Sequence, residues 1–241
     1  MRRIDFLRKS VRLMSLGVMT PFLNACAKDN PEPNTTTSST DCVASPAETA
    51  GPYPYDLSAV SKIFRKDIAE DKTGTPLGLT FSVVNVNNNC APIENARVDI
   101  WHIDKDGYYS EYSEPGYLGT QNHVGETFLR GIQVTDAEGK VNFTTIYPGW
   151  YSGRIAHIHI EIFVNSVRKA TTQMAFPDAV NQEVYNTSLY SAHGQNSSVA
   201  SNAADMVFGD SATDLEHELC AITPNSATGG YDATLTVRVS L

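Results

Sequence analysis

Hydrophobic and polar positions alternate with a period of two in a series of short runs, the pattern of strands with one buried face. Leu77–Val86 (LGLTFSVVNV) is the first such run, and Asn87, Asn88 and Asn89 turn the chain after it. Ala96–Ile103 sets Val98, Ile100 and His102 against Arg97, Asp99 and Trp101. Phe128–Val134 and Lys140–Ile146 flank Thr135–Gly139 (TDAEG), a signal for a hairpin. Ile155–Val164 and Lys169–Phe176 follow, with a turn near Asn165, and Tyr231–Val239 is the last run. Ser110–Glu126 is polar and rich in Gly and Tyr, and reads as a long loop. Pro177–Ser211 is polar, with a short helix expected over Ala179–Tyr185. These short strands and turns predict an all-β fold, a two-sheet sandwich of the immunoglobulin or transthyretin kind with long loops, over residues 42–241.

The first residues follow another pattern. Arg2, Arg3, Arg8, Lys9 and Arg12 precede an apolar run, Leu13–Leu23, too short to span a bilayer and suited to a signal peptide over residues 1–25. Small Ala25 before Cys26 forms a lipoprotein-type cleavage box, so Cys26 is the expected lipidation site of an exported cell-envelope protein. Arg2-Arg3 loosely matches a twin-arginine signal, with Asp5 out of place. Residues 26–41 contain no large apolar side chain and are expected to form a flexible tether.

The whole chain carries 18 Lys and Arg against 27 Asp and Glu, for a net charge of −9. Without the leader's five basic residues and one Asp, 13 basic and 26 acidic residues remain, a net charge of −13. Such a surface repels phosphate backbones and argues against nucleic-acid binding. Cys42, Cys90 and Cys220 fit no zinc spacing, and export makes a disulfide plausible.

The candidate chemistry lies between Trp101 and Ile162. His157 and His159 sit at i and i+2 of one strand, so their imidazoles share a face ~7 Å apart at the backbone and can converge on one ion. Tyr109 and Tyr151 each stand beside a glycine-containing turn. A phenol with a pKa near ~10 is a poor ligand for most ions, whereas a hard trivalent cation holds it as phenolate. Two Tyr with two His point to non-haem Fe(III) rather than zinc or calcium.

The motifs around these residues resemble the intradiol ring-cleavage dioxygenases. A-x-V-x-I-W leads to G-x-Y over Ala96–Tyr109, and R-G-x-Q-x-T-D-x-x-G runs over Arg130–Gly139. P-G-x-Y stands at Pro148–Tyr151 and R-x-x-H-x-H at Arg154–His159. T-x-G-P-Y at Thr49–Tyr53 and the T-Q of Thr172-Gln173 complete the set. The chain departs from protocatechuate-type members between Tyr151 and His157, where only Ser152–Ala156 intervene. That shorter link leaves substrate identity open.

The resemblance implies a β-sandwich enzyme that uses Fe(III) and O₂ to open a catechol ring between its hydroxyl-bearing carbons, giving a cis,cis-muconic acid. It implies Tyr109, Tyr151, His157 and His159 as metal ligands, with Tyr151 the one that leaves and takes a substrate proton. Arg154 is implied as the cation that offsets charge on the ring. Thr49, Gly51, Pro52 and Tyr53 would line the mouth, and Gln173 the back of the pocket. Similarity to secreted members implies a Cys42–Cys90 disulfide, against three reduced thiols. His102, His123, His193 and His217 match no motif and are expected to be structural or surface groups. The alternative reading is a transthyretin-like lipoprotein that binds a ligand or surface without turnover, and a third is a metal enzyme using another ion. The sequence leaves open which catechol is used and the oligomeric state.

Overall fold

The computed structural model describes residues 42–54 and 63–241. The expected leader, tether and lipidation cysteine lie outside the described residues. No helix among the described residues is long and apolar enough to cross a membrane.

Strands β1 (Pro76–Asn85), β2 (Ala91–Pro92), β3 (Arg97–Trp101), β4 (Ser113–Gly116), β5 (Gly119–Asn122) and β6 (Arg130–Val134) occupy the first half. Strands β7 (Lys140–Ile146), β8 (His157–Val164) and β9 (Val167–Ala175) follow, then helices α1 (Asp178–Tyr185) and α2 (Ala212–Glu218), then β10 (Ala221–Asn225) and β11 (Gly230–Val239). One sheet runs β10-β11-β1, with β2 and β7 both paired to β1, and the other runs β6-β3-β8-β9. The period-two pattern explains how they pack. Leu77, Leu79, Phe81 and Val83 of β1 point inward with Phe143 of β7 and Leu235 and Val237 of β11. Val98 and Ile100 of β3 and Ile158, Ile160 and Ile162 of β8 meet them from the facing sheet.

Three expectations are corrected. The TDAEG turn does not join a hairpin: β6 pairs with β3 in one sheet, whereas β7 pairs with β1 in the other. Turn chemistry reports only a chain reversal, and here the reversal carries the chain across the sandwich. Asp136 holds it by accepting from the Glu138 and Lys140 amides. Second, the polar segment read as a loop contains the β4–β5 hairpin, paired from Ser113↔Asn122 to Gly116↔Gly119. It lacks alternation because it packs on no sheet, and Tyr108 anchors it instead, accepting from the Leu118 amide and donating to the Gly119 carbonyl. Third, α2 went unforeseen, although Ser211 caps it by accepting from the Asp214 amide, a legible N-terminal signal.

Cys42 and Cys90 are joined by a disulfide, and Cys220 is free and buried. The bond starts a strap that crosses the sandwich edge. Ser45 donates its amide to the Arg238 carbonyl of β11, and Glu48 donates to the Thr171 carbonyl of β9. The strap then passes over the outer face of β8.

Closing a loop across a sequence separation of 48 restricts the unfolded chain, an effect of ~4 kcal/mol by chain entropy. Replacing both Cys42 and Cys90 by Ser is therefore expected to lower unfolding free energy by about 2–4 kcal/mol. Urea unfolding of both proteins under non-reducing conditions checks this, and coincident curves would show that the bond does not constrain the unfolded state.

Candidate metal centre and active site

The outer face of β8 is where the chemistry collects. With Ile158 and Ile160 in the core, His157 and His159 must point the other way. Trp101 is the register partner of His159 on neighbouring β3, and their rings stack at 4.9 Å with 5° between planes. A half-buried strand was the sequence expectation, but His157 and His159 are 0% and 1% exposed. The outer face is covered by the strap, by two turns and by the segment after Tyr151.

The two turns bring in the phenols. Asp104 folds the first by accepting from the Asp106 and Tyr108 amides, and the Glu114 carboxylate accepts from the Tyr109 amide at 2.6 Å. The second turn packs against the first through glycines. A Cβ on Gly107 would lie 2.5 Å from the Trp150 carbonyl oxygen, and one on Gly149 would lie 2.4 Å from that of Lys105. The glycines of G-x-Y and P-G-x-Y are thus what lets the two backbones touch. Tyr108 and Tyr109 diverge here, Tyr108 to the hairpin and Tyr109 to the histidines. Tyr109 Oη is 3.1 Å from His159 Nε2 and 3.3 Å from His157 Nε2. The Tyr151 ring is 6.1 Å from that of Tyr109 and 5.6 Å from that of His157.

Protonation follows from the contacts. His157 Nδ1 is 2.6 Å from the Ile155 carbonyl, which can only accept, so Nδ1 carries the proton and Nε2 turns a lone pair toward the Tyr109 phenol. Burial, then Arg154, holds His157 well below the usual imidazole range, and burial with His157 does so for His159. Both are neutral, as ligands must be. Burial raises Tyr109 well above an ordinary phenol and raises Tyr151 also, so without a cation both keep their protons. No group of three or more His, Cys, Asp or Glu among the described residues could hold a metal, so a centre here needs the phenols.

Arg154, which R-x-x-H-x-H places beside the histidines, is 5% exposed rather than solvated. Its Nε donates to both carboxylate oxygens of Asp205 at 3.0 Å, and Nη2 donates to Gln173 Oε1 at 2.6 Å. That leaves Nη1 on the donor side, 3.5 Å from His157 Nε2. Asp205 also accepts from the Ile155, Val207 and Phe208 amides. It went unnoticed in the sequence because it lies in a Ser-, Asn- and Ala-rich stretch, 51 residues from its partner. Arg130, the first residue of the R-G-x-Q motif, is 0% exposed and donates to Ser110 Oγ, Ser110 O and the Tyr53 carbonyl. It ties the strap to the Tyr109 turn.

The strap residues sit as a lid. Gly51, at φ +71°, lies so close to His159 that a Cβ would be 3.1 Å from its Cε1. Thr49 Oγ1 accepts from the Gly51 amide, and the Tyr53 ring packs 4.8 Å from that of Tyr109. Two clefts meet at Tyr151. One of about 660 Å³ is lined by Thr49, Gly51, Pro52 and Arg154 among others, and one of about 390 Å³ by Tyr53, Trp150 and His193 among others. Gln173 lines neither and is fully buried; besides holding Arg154 it donates to the Thr49 carbonyl. The remaining histidines stay apart from the donors. His102 bridges the Ile103 carbonyl and Thr145, His123 pairs with Glu126, His193 stacks between Tyr117 and Trp150, and His217 lies in α2.

Comparison with known proteins agrees with this geometry. Residues 50–207 match a family model described as dioxygenase. The chain is 30% identical over 149 residues to catechol 1,2-dioxygenase 1 of Acinetobacter lwoffii, covering 54% of this chain and 44% of that protein. It is 29% identical over 148 residues to the protocatechuate 3,4-dioxygenase beta chain of Burkholderia cepacia, covering 54% and 55%. The chain thus spans about half the length of these curated relatives. An intradiol ring-cleavage dioxygenase structure from Tetranychus urticae aligns at 30% identity and a TM-score of 0.69, over 83% of this chain and 95% of that one. With the matched segment spanning both tyrosines, both histidines and Arg154, the chain belongs to the intradiol ring-cleavage dioxygenase family.

Proposed function

We propose that the protein opens catechol-type rings with O₂ at an Fe(III) ion held by Tyr109, Tyr151, His157 and His159, giving a cis,cis-muconic acid. The observation that carries this reading is the convergence of both imidazole Nε2 atoms on the Tyr109 phenol, with Tyr151 beside them. The donor set fits the ion: two neutral imidazoles, and two phenols that only a strong Lewis acid would ionise at neutral pH. When bound, ferric iron would accept the catechol as a chelating dianion and draw electron density from the ring toward reaction with O₂.

The chain's own residues divide the remaining work. Tyr109, His157 and His159 are sealed from solvent, whereas Tyr151 is part-exposed and borders both clefts. Tyr151 is therefore the donor that can swing aside and accept a catechol proton on its phenolate oxygen. Arg154 presents Nη1 to the reacting face, where a guanidinium can offset negative charge on the ring. Asp205 and Gln173 fix its orientation, and the strap over His159 keeps water off the donors. We further read the protein as an exported lipoprotein anchored through Cys26, supported by the basic start, short apolar run and cleavage box.

Tyr109→Phe, Tyr151→Phe, His157→Ala and His159→Ala are each expected to abolish ring cleavage. The iron-loaded protein should be red-brown from phenolate-to-iron charge transfer, and each Phe variant should weaken or shift that band. Oxygen uptake with a catechol and visible spectra check this; a tyrosine variant with unchanged colour and turnover is not a ligand.

Arg154→Gln is expected to lower kcat by ~100-fold while catechol still shifts the spectrum without O₂. It also strands the buried Asp205 carboxylate, a loss of ~3–5 kcal/mol. Arg154→Gln/Asp205→Asn should regain much of the melting temperature and none of the kcat. Recovery of both would reduce Arg154 to a structural ion pair.

Cys26→Ser is expected to keep ring cleavage and move the protein from the membrane to the soluble fraction. Equal membrane association in fractionation would argue against a lipid anchor.

A further inference from the structure

The larger cleft exceeds what a catechol ring needs. A cavity of ~150 Å³ is enough for one benzene ring, and this cleft holds about 660 Å³. It is also continuous with the donors. Gly51, against His159, and Arg154, whose Nη1 faces His157, both line it, and neither lines the smaller cleft. A ring seated at the four donors therefore has room beside it for a substituent, with Pro52, Met206 and Val207 among the walls of that space. The charged lining groups, Glu48, Arg154 and Asp210, carry both signs, so charge alone does not choose the substituent.

A second observation concerns Met206. It is 77% exposed, the most exposed of the large apolar side chains among the described residues. A lone exposed apolar side chain is ordinary on a protein surface, but the backbone that carries Met206 is held on both sides. Asp205 before it is buried, accepts both bonds from Arg154 Nε and accepts the Ile155 amide. Val207 after it is buried, donates its amide to Asp205 Oδ1 and packs in a cluster with Ile155 and Phe208. The Gly209 amide closes the turn on the Asp205 carbonyl. The turn thus fixes the main chain and presents a long thioether side chain in the cleft wall with its apolar surface uncovered. Methionine packs favourably on aromatic rings and adapts its torsions to them.

We propose that the larger cleft receives an uncharged second ring carried on the catechol, and that Met206 is the specificity-determining contact for it. The proposal rests on the ring-opening reading above. With the catechol hydroxyls toward the donors, a second ring in this space covers Met206. Apolar surface left open in the free protein is then buried only by substrates large enough to reach it. Catechol itself leaves it exposed.

The test compares 4-phenylcatechol with catechol on the iron-loaded full chain. kcat/KM is read from oxygen uptake, and affinity from calorimetry without O₂. 4-Phenylcatechol is expected to exceed catechol by ~tenfold or more in both, through KM rather than kcat, the scale that added apolar groups reach in a hydrophobic pocket. Met206→Ser should cut that ratio by ~threefold or more, the scale of a lost thioether–ring contact. Met206→Leu, which restores apolar bulk, should keep most of it. Because a second ring also raises general hydrophobic affinity, the contact is read directly as well. In ¹³C-methyl methionine spectra of the full chain loaded with diamagnetic Ga(III), 4-phenylcatechol should move the Met206 methyl signal upfield and catechol should not. Loss of that signal in Met206→Leu assigns it. Equal affinities for the two catechols, an unmoved Met206 methyl, or the same ratio in Met206→Ser would overturn the proposal. If neither catechol is opened, the ring-cleavage reading fails, and the affinities and the methyl shift still decide the second-ring contact.

Discussion

The site depends on one constraint, that β8 is buried on both faces. Its isoleucines are fixed in the sandwich core, so the histidines are fixed outward, and a shift of one residue would exchange them. Pairing to β3 over His159–Phe163 on one side and to β9 over His157–Ile162 on the other pins that register where the histidines sit, and the ladder to β9 shifts only past Ile162. The imidazoles are therefore held by the hydrophobic effect acting on their neighbours rather than by contacts of their own. Stacking on Trp101 and the Ile155 carbonyl then set ring orientation and tautomer.

Everything laid over that face must fit a dry, polar surface. The strap manages it with a glycine where a side chain would strike His159, and the tyrosine turns with glycines where their backbones meet. Arg130 fastens these pieces together from beneath, through Ser110 and the Tyr53 carbonyl. Loops built this way are held by buried hydrogen bonds at fixed points, which is how irregular backbone can place catalytic groups as firmly as a sheet does.

The Arg154–Asp205 pair adds an electrostatic layer. Burying a guanidinium without a partner would be prohibitive, and Asp205 supplies the compensation while accepting three backbone amides. The same contacts engage Nε and Nη2 and leave Nη1 turned toward His157.

Much of this was legible in the chain. Alternation located seven of the strands and the two-sheet class, because burial of one face writes a period of two into the sequence. Spacing put His157 and His159 on one face, and the glycine turns singled out Tyr109 and Tyr151. The other four, β2, β4, β5 and β10, left no such mark, being too short or too polar to show a period. Sheet partnership was likewise invisible: TDAEG encodes a reversal, and only packing decided that its two strands join different sheets. The burial of Arg154, its bond to Asp205 and the role of Gln173 as its holder came from tertiary structure alone. Those contacts join residues tens of positions apart, and a linear pattern carries no distance between such residues until the core brings them together.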